Sequence, residues 1–131
     1  MKAIANFVLS CVLASAALLG SATAAERFPY RADRFARAQA EGKPVLIDIT
    51  ASWCPVCRVQ NAVITRDLFK PEFARYAIFD VDFDSQKDVV RQFDATTQST
   101  LIIFRGKKET ARLVGGTDPA LIEAMMHRGI D

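Results

Sequence analysis

Val45-Leu46-Ile47-Asp48-Ile49-Thr50-Ala51-Ser52-Trp53-Cys54-Pro55-Val56-Cys57-Arg58 decides how this chain is read. From Val45 to Thr50 it is β-branched and apolar on both faces, the pattern of a strand buried inside a sheet. Asp48 is the one exception. Pro55 suits the first turn of a helix, so Cys54 and Cys57 lie where strand gives way to helix. A helix start carries free backbone N–H groups and a partial positive charge, which favour a thiolate over a thiol. Two residues between the cysteines let one turn of helix bring both sulfurs together. The spacing predicts thiol–disulfide chemistry.

After the cysteines, Val56, Val59, Val63 and Ile64, with Ala62, form an apolar stripe that predicts a helix to about Thr65. Upstream, Ala32 to Glu41 reads as a short surface helix ended by Gly42. Glu26 to Tyr30 reads as an extended lead-in, because Pro29 opposes helix. Downstream, Pro71 opens a short helical turn, Glu72 to Arg75, and Ala77 to Phe83 alternates imperfectly as a strand. Ser85-Gln86-Lys87-Asp88 resembles a capping box, followed by a helix that buries Val89, Val90 and Phe93. Thr100 to Phe104 is a second strongly apolar strand. Arg105-Gly106-Lys107-Lys108 turns it into a return strand, Glu109 to Val114, an antiparallel hairpin that Gly115-Gly116 breaks. Asp118 and Pro119 cap a last helix with Leu121/Met125 and Ile122/Met126 paired at i,i+4. Strands alternating with helices predict an α/β fold whose sheet is parallel in part, with the hairpin as an antiparallel edge.

The chain has 131 residues, enough for one domain with one sizeable core. A formal charge of +2 is too small to argue for nucleic acid or an anionic surface. Met1-Lys2 is a short basic start, Ala3 to Leu19 an uncharged apolar run, and Gly20 to Ala24 a small-residue end with alanine at −3 and −1. This is the layout of a secretory signal peptide over residues 1–24, ahead of a domain at 25–131. An uncleaved anchor is the competing reading, because the run approaches the length of a span. A lipoprotein acylated at Cys11 is discounted, since Val8-Leu9-Ser10 is a poor lead-in and lies too early. Cleavage after Ala24 takes Lys2 and Cys11, leaving 16 basic against 15 acidic residues and only Cys54 and Cys57 as thiols. An exported protein meets an oxidising compartment. A bridge over two residues restrains the unfolded chain little, so this pair points to chemistry rather than stability.

From about Ala32 to Met126 the chain resembles the thioredoxin superfamily. The resemblance rests on Trp53-Cys54-Pro55-Val56-Cys57, on Asp48 six residues before the first cysteine, on the Thr100 to Phe104 strand and on Val114-Gly115-Gly116. The lead-in Glu41-Gly42-Lys43-Pro44-Val45-Leu46 is similar to exported thioredoxin-like proteins, including the C-terminal domain of the DsbD interchange protein. The resemblance implies a thioredoxin fold, a central mixed sheet of four to five strands flanked by helices. It implies that Cys54 and Cys57 form the redox disulfide. Cys54 would be the attacking thiolate, of a kind that titrates roughly between 3.5 and 7.5. Cys57, one turn inward and more buried, would resolve the mixed disulfide. Asp48 would be the buried carboxylate that shuttles the resolving proton, with a pKa raised by burial. A water-facing Asp48 is the alternative. Trp53, Pro55, Ser99 and Thr100 would border the substrate, although an aromatic such as Trp53 equally fills gaps in cores.

Two positions depart from the superfamily. A cis-proline usually precedes the threonine that opens the later strand, against the thiols and the substrate backbone, but here Ser99 holds that place. A non-proline cis bond costs about 3–4 kcal/mol, so the peptide before Ser99 is expected to be trans. The hydroxyls of Ser99 and Thr100 are placed to hydrogen-bond a thiolate. Asp80 aligns where cytosolic members often carry a lysine beside the buried acid. Turned inward, it would raise a carboxyl pKa further; on the surface it would not.

The resemblance implies an exported thiol–disulfide oxidoreductase acting on protein thiols and disulfides, a reductase recharged by a membrane electron donor, with no cofactor. The Cys-Pro-x-Cys order is similar in part to the oxidant DsbA. A second class is a Cu(I) or Zn module built on the two thiolates, which falls short of the four ligands of a closed zinc site. The single histidine, His127, reads as a helix C-terminal cation. A third class is a non-catalytic domain that keeps the fold, with Ser99 as its support.

Overall fold

The computed structural model describes residues 24–131, so the signal-like segment up to Thr23 lies outside the described residues. The described residues form five strands and four α-helices: β1 (Glu26–Pro29), α1 (Ala32–Ala40), β2 (Pro44–Thr50), α2 (Pro55–Asp67), β3 (Ala77–Asp82), α3 (Lys87–Gln92), β4 (Thr100–Arg105), β5 (Lys108–Val114) and α4 (Pro119–His127). A single 3-10 turn, Pro71–Phe73, separates α2 from β3. No helix among the described residues is long and apolar enough to cross a membrane.

The sheet order is β1-β3-β2-β4-β5. Strands β1, β3 and β2 run parallel, while β4 is antiparallel to β2 and to β5. The mixed five-stranded sheet expected from the sequence is therefore present. The lead-in at Glu26 is a strand in its own right, pairing Arg27 with Ile78 and Pro29 with Asp80. Proline is tolerated there because β1 is an edge strand with one unpaired side.

Strand β2 is central, and successive side chains point to opposite faces. Val45, Ile47 and Ile49 pack with Ala38, Phe79, Val90, Phe93 and Ile102 beneath α1 and α3. Leu46 packs on the other face with Ile78, Leu101 and Ile103, beneath Val63 and Ile64 of α2 and Ile122, Met125 and Met126 of α4. Asp48 is two residues from Leu46 and so shares the face covered by α2. An acid in the middle of a buried strand is thereby aimed at the helix that carries the cysteines.

Three local expectations need correction. The buried face of α2 is Cys57, Gln60, Val63, Ile64 and Asp67, whereas Val56 and Val59 are exposed. The hydrophobic stripe misplaced the phase of the first two turns, because the cysteine and a glutamine take the inner positions there. The Ser85 capping box does not form. Helix α3 has no side-chain cap; instead the Asp82 carboxylate accepts from the Ser85 hydroxyl and from the Asp84 and Ser85 N–H groups. In α4, Asp118 caps as expected by accepting from the Ala120 N–H, but Leu121 faces solvent.

Candidate active site

Cys54 is the N-cap residue of α2, and Pro55 takes the first helical position. Its sulfur accepts the Cys57 N–H at 3.1 Å, satisfying one of the backbone donors that a helix start leaves free. Sulfur thus occupies the place usually filled by a serine or aspartate oxygen, where negative charge is stabilised. The two cysteines are joined in a disulfide, with Cα atoms 5.3 Å apart. Ala51 and the ring of Phe83 pack against the pair. Both cysteines are only 2 % exposed, so Cys57 is not the more buried of the two. Packing of Phe83 and Ser99 over the bridge removes the expected difference.

Ser99 lies directly on the bridge. Its Oγ is 3.1 Å from the sulfur of Cys54 and 3.3 Å from that of Cys57. No peptide bond among the described residues is cis, so the one before Ser99 is trans. The residue instead adopts φ 60°, a left-handed conformation that costs a non-glycine residue roughly 1–2 kcal/mol. Two contacts hold it there. The Ser99 carbonyl accepts from the N–H of Gly115 at 2.9 Å and from Nε2 of Gln60 at 3.1 Å, and Gln60 also donates to the Gly116 carbonyl. Gly115 itself needs φ 70°, which glycine adopts without strain. A substrate strand cannot pair with the Ser99 carbonyl without displacing these donors. The Thr100 hydroxyl does not face the sulfurs; it donates to the carbonyl of Thr97 at 2.9 Å and pins the loop.

The Ser99 contact yields a measurable expectation. In the reduced protein an O–H donated to a thiolate favours the charged sulfur, and losing such a bond costs about 1–1.5 kcal/mol. Ser99→Ala is expected to slow alkylation of Cys54 by iodoacetamide at pH 6 roughly fivefold to tenfold. A rate equal to that of the unmodified protein would show that the hydroxyl does not stabilise the thiolate.

Trp53 is 54 % exposed and does not fill the core. Its indole N–H donates to Asp84 Oδ2 at 2.7 Å, tying the loop before α2 to the loop after β3. Val56 and Val59, on the outer face of α2, are exposed as well. A cleft of about 300 Å³ opens beside the cysteines, lined by Thr50, Ala51, Ser52, Cys57, Arg58, Asn61 and Asp82.

Asp48 is 1 % exposed, which decides against the water-facing alternative. Burial pushes its pKa up, to about 6; the Arg27 guanidinium opposes the rise and the neighbouring Asp80 carboxylate adds to it. Oδ2 accepts from Arg27 Nη2 at 2.8 Å, whereas Oδ1 is buried without a hydrogen-bond partner. Asp80 is opposite Asp48 in the β2–β3 register and turns to the same guanidinium, half in and half out of the surface.

Sequence reasoning missed Gln60 and Arg27. Gln60 had a signal: it follows Cys57 by three positions, on the inner face of the helix. Arg27 had none, because its role depends on a strand pairing between residues about fifty positions apart. His127 packs on the ring of Phe73 at 5.0 Å, in the last turn of α4. Glu72, Glu123 and His127 bring ligand atoms within 4.8 Å of one another, but the Lys70 ammonium already sits on Glu123 at 2.7 Å. Among the described residues no comparable group gathers around Cys54 and Cys57.

Comparison with known proteins agrees with this geometry. The family model described as thioredoxin matches residues 28–128. Thioredoxin H-type from Fagopyrum esculentum is 34 % identical over 90 residues, covering 69 % of this chain and 76 % of that protein. Thioredoxin-1 from Saccharomyces cerevisiae is 29 % identical over 94 residues, covering 72 % and 89 %. The crystal structure of Trxlp from Edwardsiella tarda superimposes with a TM-score of 0.71 at 41 % identity, over 77 % of this chain and 97 % of that one. A dithiol at the start of α2, on a mixed five-stranded sheet, thus stands in a chain that the thioredoxin model matches over nearly all of its described length, and the chain belongs to the thioredoxin family of thiol–disulfide oxidoreductases.

Proposed function

We propose that the protein is an exported reductase of protein disulfides, recharged by an electron donor in the membrane. The observation that carries the direction is the set of partners around the Cys54 sulfur. Its hydrogen-bond partners are neutral, the Cys57 N–H and the Ser99 hydroxyl. Strongly oxidising members of such pairs owe their potential to a heavily stabilised reduced form. Two neutral donors and a helix start stabilise the thiolate moderately, which supports the reducing side. Export is supported by the layout of Met1 to Ala24.

In this reading the Cys54 thiolate attacks a substrate disulfide. One substrate sulfur leaves as a thiolate with the electron pair of the broken bond, and a Cys54–substrate mixed disulfide forms. Cys57 then gives its proton to the Asp48 carboxylate. Its thiolate attacks the Cys54 sulfur, the second substrate sulfur leaves with the bonding electrons, and the Cys54–Cys57 bridge closes. The substrate is reduced by two electrons and the dithiol is oxidised by two. Trp53 offers the partner chain an exposed apolar side chain.

The test is the reduction potential of the pair, measured by equilibration with a thiol–disulfide buffer. A value near the roughly −270 mV of reducing thioredoxins is expected. One near the roughly −120 mV of DsbA would reverse the assignment to oxidase. Mass spectrometry of the protein from a periplasmic fraction is expected to find an N-terminus at Ala25. Full-length protein confined to the cytoplasm would remove the export claim.

A further inference from the structure

Arg27 reaches from edge strand β1 under α2 and uses all three guanidinium nitrogens. Nε donates to Asp80 Oδ2 at 2.9 Å and Oδ1 at 3.1 Å, Nη2 to Asp80 Oδ1 at 2.6 Å and Asp48 Oδ2 at 2.8 Å, and Nη1 to Asn61 Oδ1 at 2.8 Å. One cation therefore serves two carboxylates that face each other across neighbouring strands. The exposures are graded: the side chain of Asp80 is 33 % exposed, that of Arg27 23 % and that of Asp48 2 %. Arg27 stands between the sealed acid and the half-open one.

We infer that Arg27 is a positioning residue of the proton-transfer step: it holds Asp48 by Oδ2, leaves Oδ1 as the oxygen that carries the proton, and by dividing itself between Asp48 and Asp80 sets the pH at which that proton is taken. The inference rests on the reading of Asp48 as the acceptor for Cys57. A carboxylic acid cannot place its proton on an oxygen already accepting from a guanidinium without giving up that bond. Oδ1, buried and without a partner, is the free position. Two carboxylates on adjacent strands cannot both ionise easily without a cation between them. Removing the cation therefore favours the protonated form of Asp48, and removing Asp80 gives the whole cation to Asp48 and favours the ionised form. Other neighbours leave this balance in charge. Leu101 opposite on β4 is apolar, α2 contributes neutral Asn61 and the Cys57 thiol of the reduced form, and Asp82, further along β3, is taken by Ser85. Arg58 of α2 faces solvent.

The test is a carbon-13 titration of the Asp48 carboxyl in the oxidised full-length protein, together with the pH dependence of mixed-disulfide resolution in the reduced one. Arg27→Met is expected to move the Asp48 midpoint up by about one pH unit or more, and to slow resolution at pH 7 about twofold for a shift of one unit and about tenfold for a shift of two, with recovery at higher pH. Asp80→Asn is expected to move the midpoint down. Arg27→Lys, which keeps the charge but loses the fork, is expected to fall between Arg27→Met and the unmodified protein. Shifts of opposite sign from the two partners of one cation are not a result that loss of packing produces. Midpoints that stay in place, or move in the same direction, overturn the inference. If Arg27→Met does not fold, Asp80→Asn and Arg27→Lys decide it by the same criterion. If Asp48→Asn leaves resolution and its pH dependence unchanged, the reading of Asp48 as acceptor fails. The titration then still reports separately whether Arg27 governs that carboxyl.

Discussion

Cys54→Ser is expected to abolish reduction of insulin disulfides, with a loss on the order of a thousandfold or more, because the nucleophile of the first step is gone. Cys57→Ser is expected to behave differently. Cys54 remains at the start of α2, where the Cys57 position still offers its backbone N–H, so attack proceeds and the covalent intermediate has no thiol to resolve it. Incubation with a disulfide-bonded protein should therefore accumulate a mixed disulfide that gel electrophoresis shows only without reductant. The two variants separate a dithiol enzyme from a thiolate metal site. A metal site would lose metal with either cysteine and would trap no substrate. Full turnover by either variant would overturn the two-step exchange.

Asp48→Asn is expected to stabilise the oxidised protein at pH 8 by about 1–3 kcal/mol while slowing resolution. The sign follows from the raised pKa. The folded carboxyl takes its proton near pH 6, well above the ordinary value of 3.8. Its ionised form is therefore disfavoured by the fold: relative to the acid form, stability falls as pH rises from about 4 to about 6 and stays low above that. Two pH units correspond to about 3 kcal/mol. An amide recovers part of this, because it also gives up the charge pairing with Arg27. Urea midpoints should show the gain at pH 8 and little of it at pH 4. A variant equally stabilised or destabilised at both values would place the effect in packing rather than in the buried charge. The same substitution removes the proton acceptor, and general base contributions of this kind run from roughly a hundredfold upward, so a prolonged mixed disulfide should accompany the stability gain.

Much of the architecture was legible because it rests on local chemistry. The unbroken apolar run of β2 identified a central strand, Pro55 the start of α2, Asp118 and Pro119 the start of α4, and Gly106 the hairpin turn, whose φ of 59° glycine supplies. Errors arose where a polar residue held an inner position. Gln60 is fully buried because two backbone carbonyls from the loops at Ser99 and Gly116 need its amide; its spacing of three from Cys57 marks the inner face, but nothing in α2 announces those two acceptors. The capping box at Ser85 failed because Asp82, at the end of β3, competes for the same donors.

The cysteine spacing, the strand before it and the helix after it determined by themselves that this chain carries a paired dithiol at a helix start. These features depend on backbone geometry within a few residues, and that geometry is written in Pro55 and in the pattern of Val45 to Thr50. The tertiary structure alone decided what surrounds the dithiol. Ser99 reaches both sulfurs because β4 lies beside β2 and because Gly115 and Gln60 hold its carbonyl. Asp48 shares a cation with Asp80 because β1, fifty residues earlier in the chain than β3, pairs with it. Charge and burial act across space, so the partners of an ionisable group become readable only once the strands have been placed side by side.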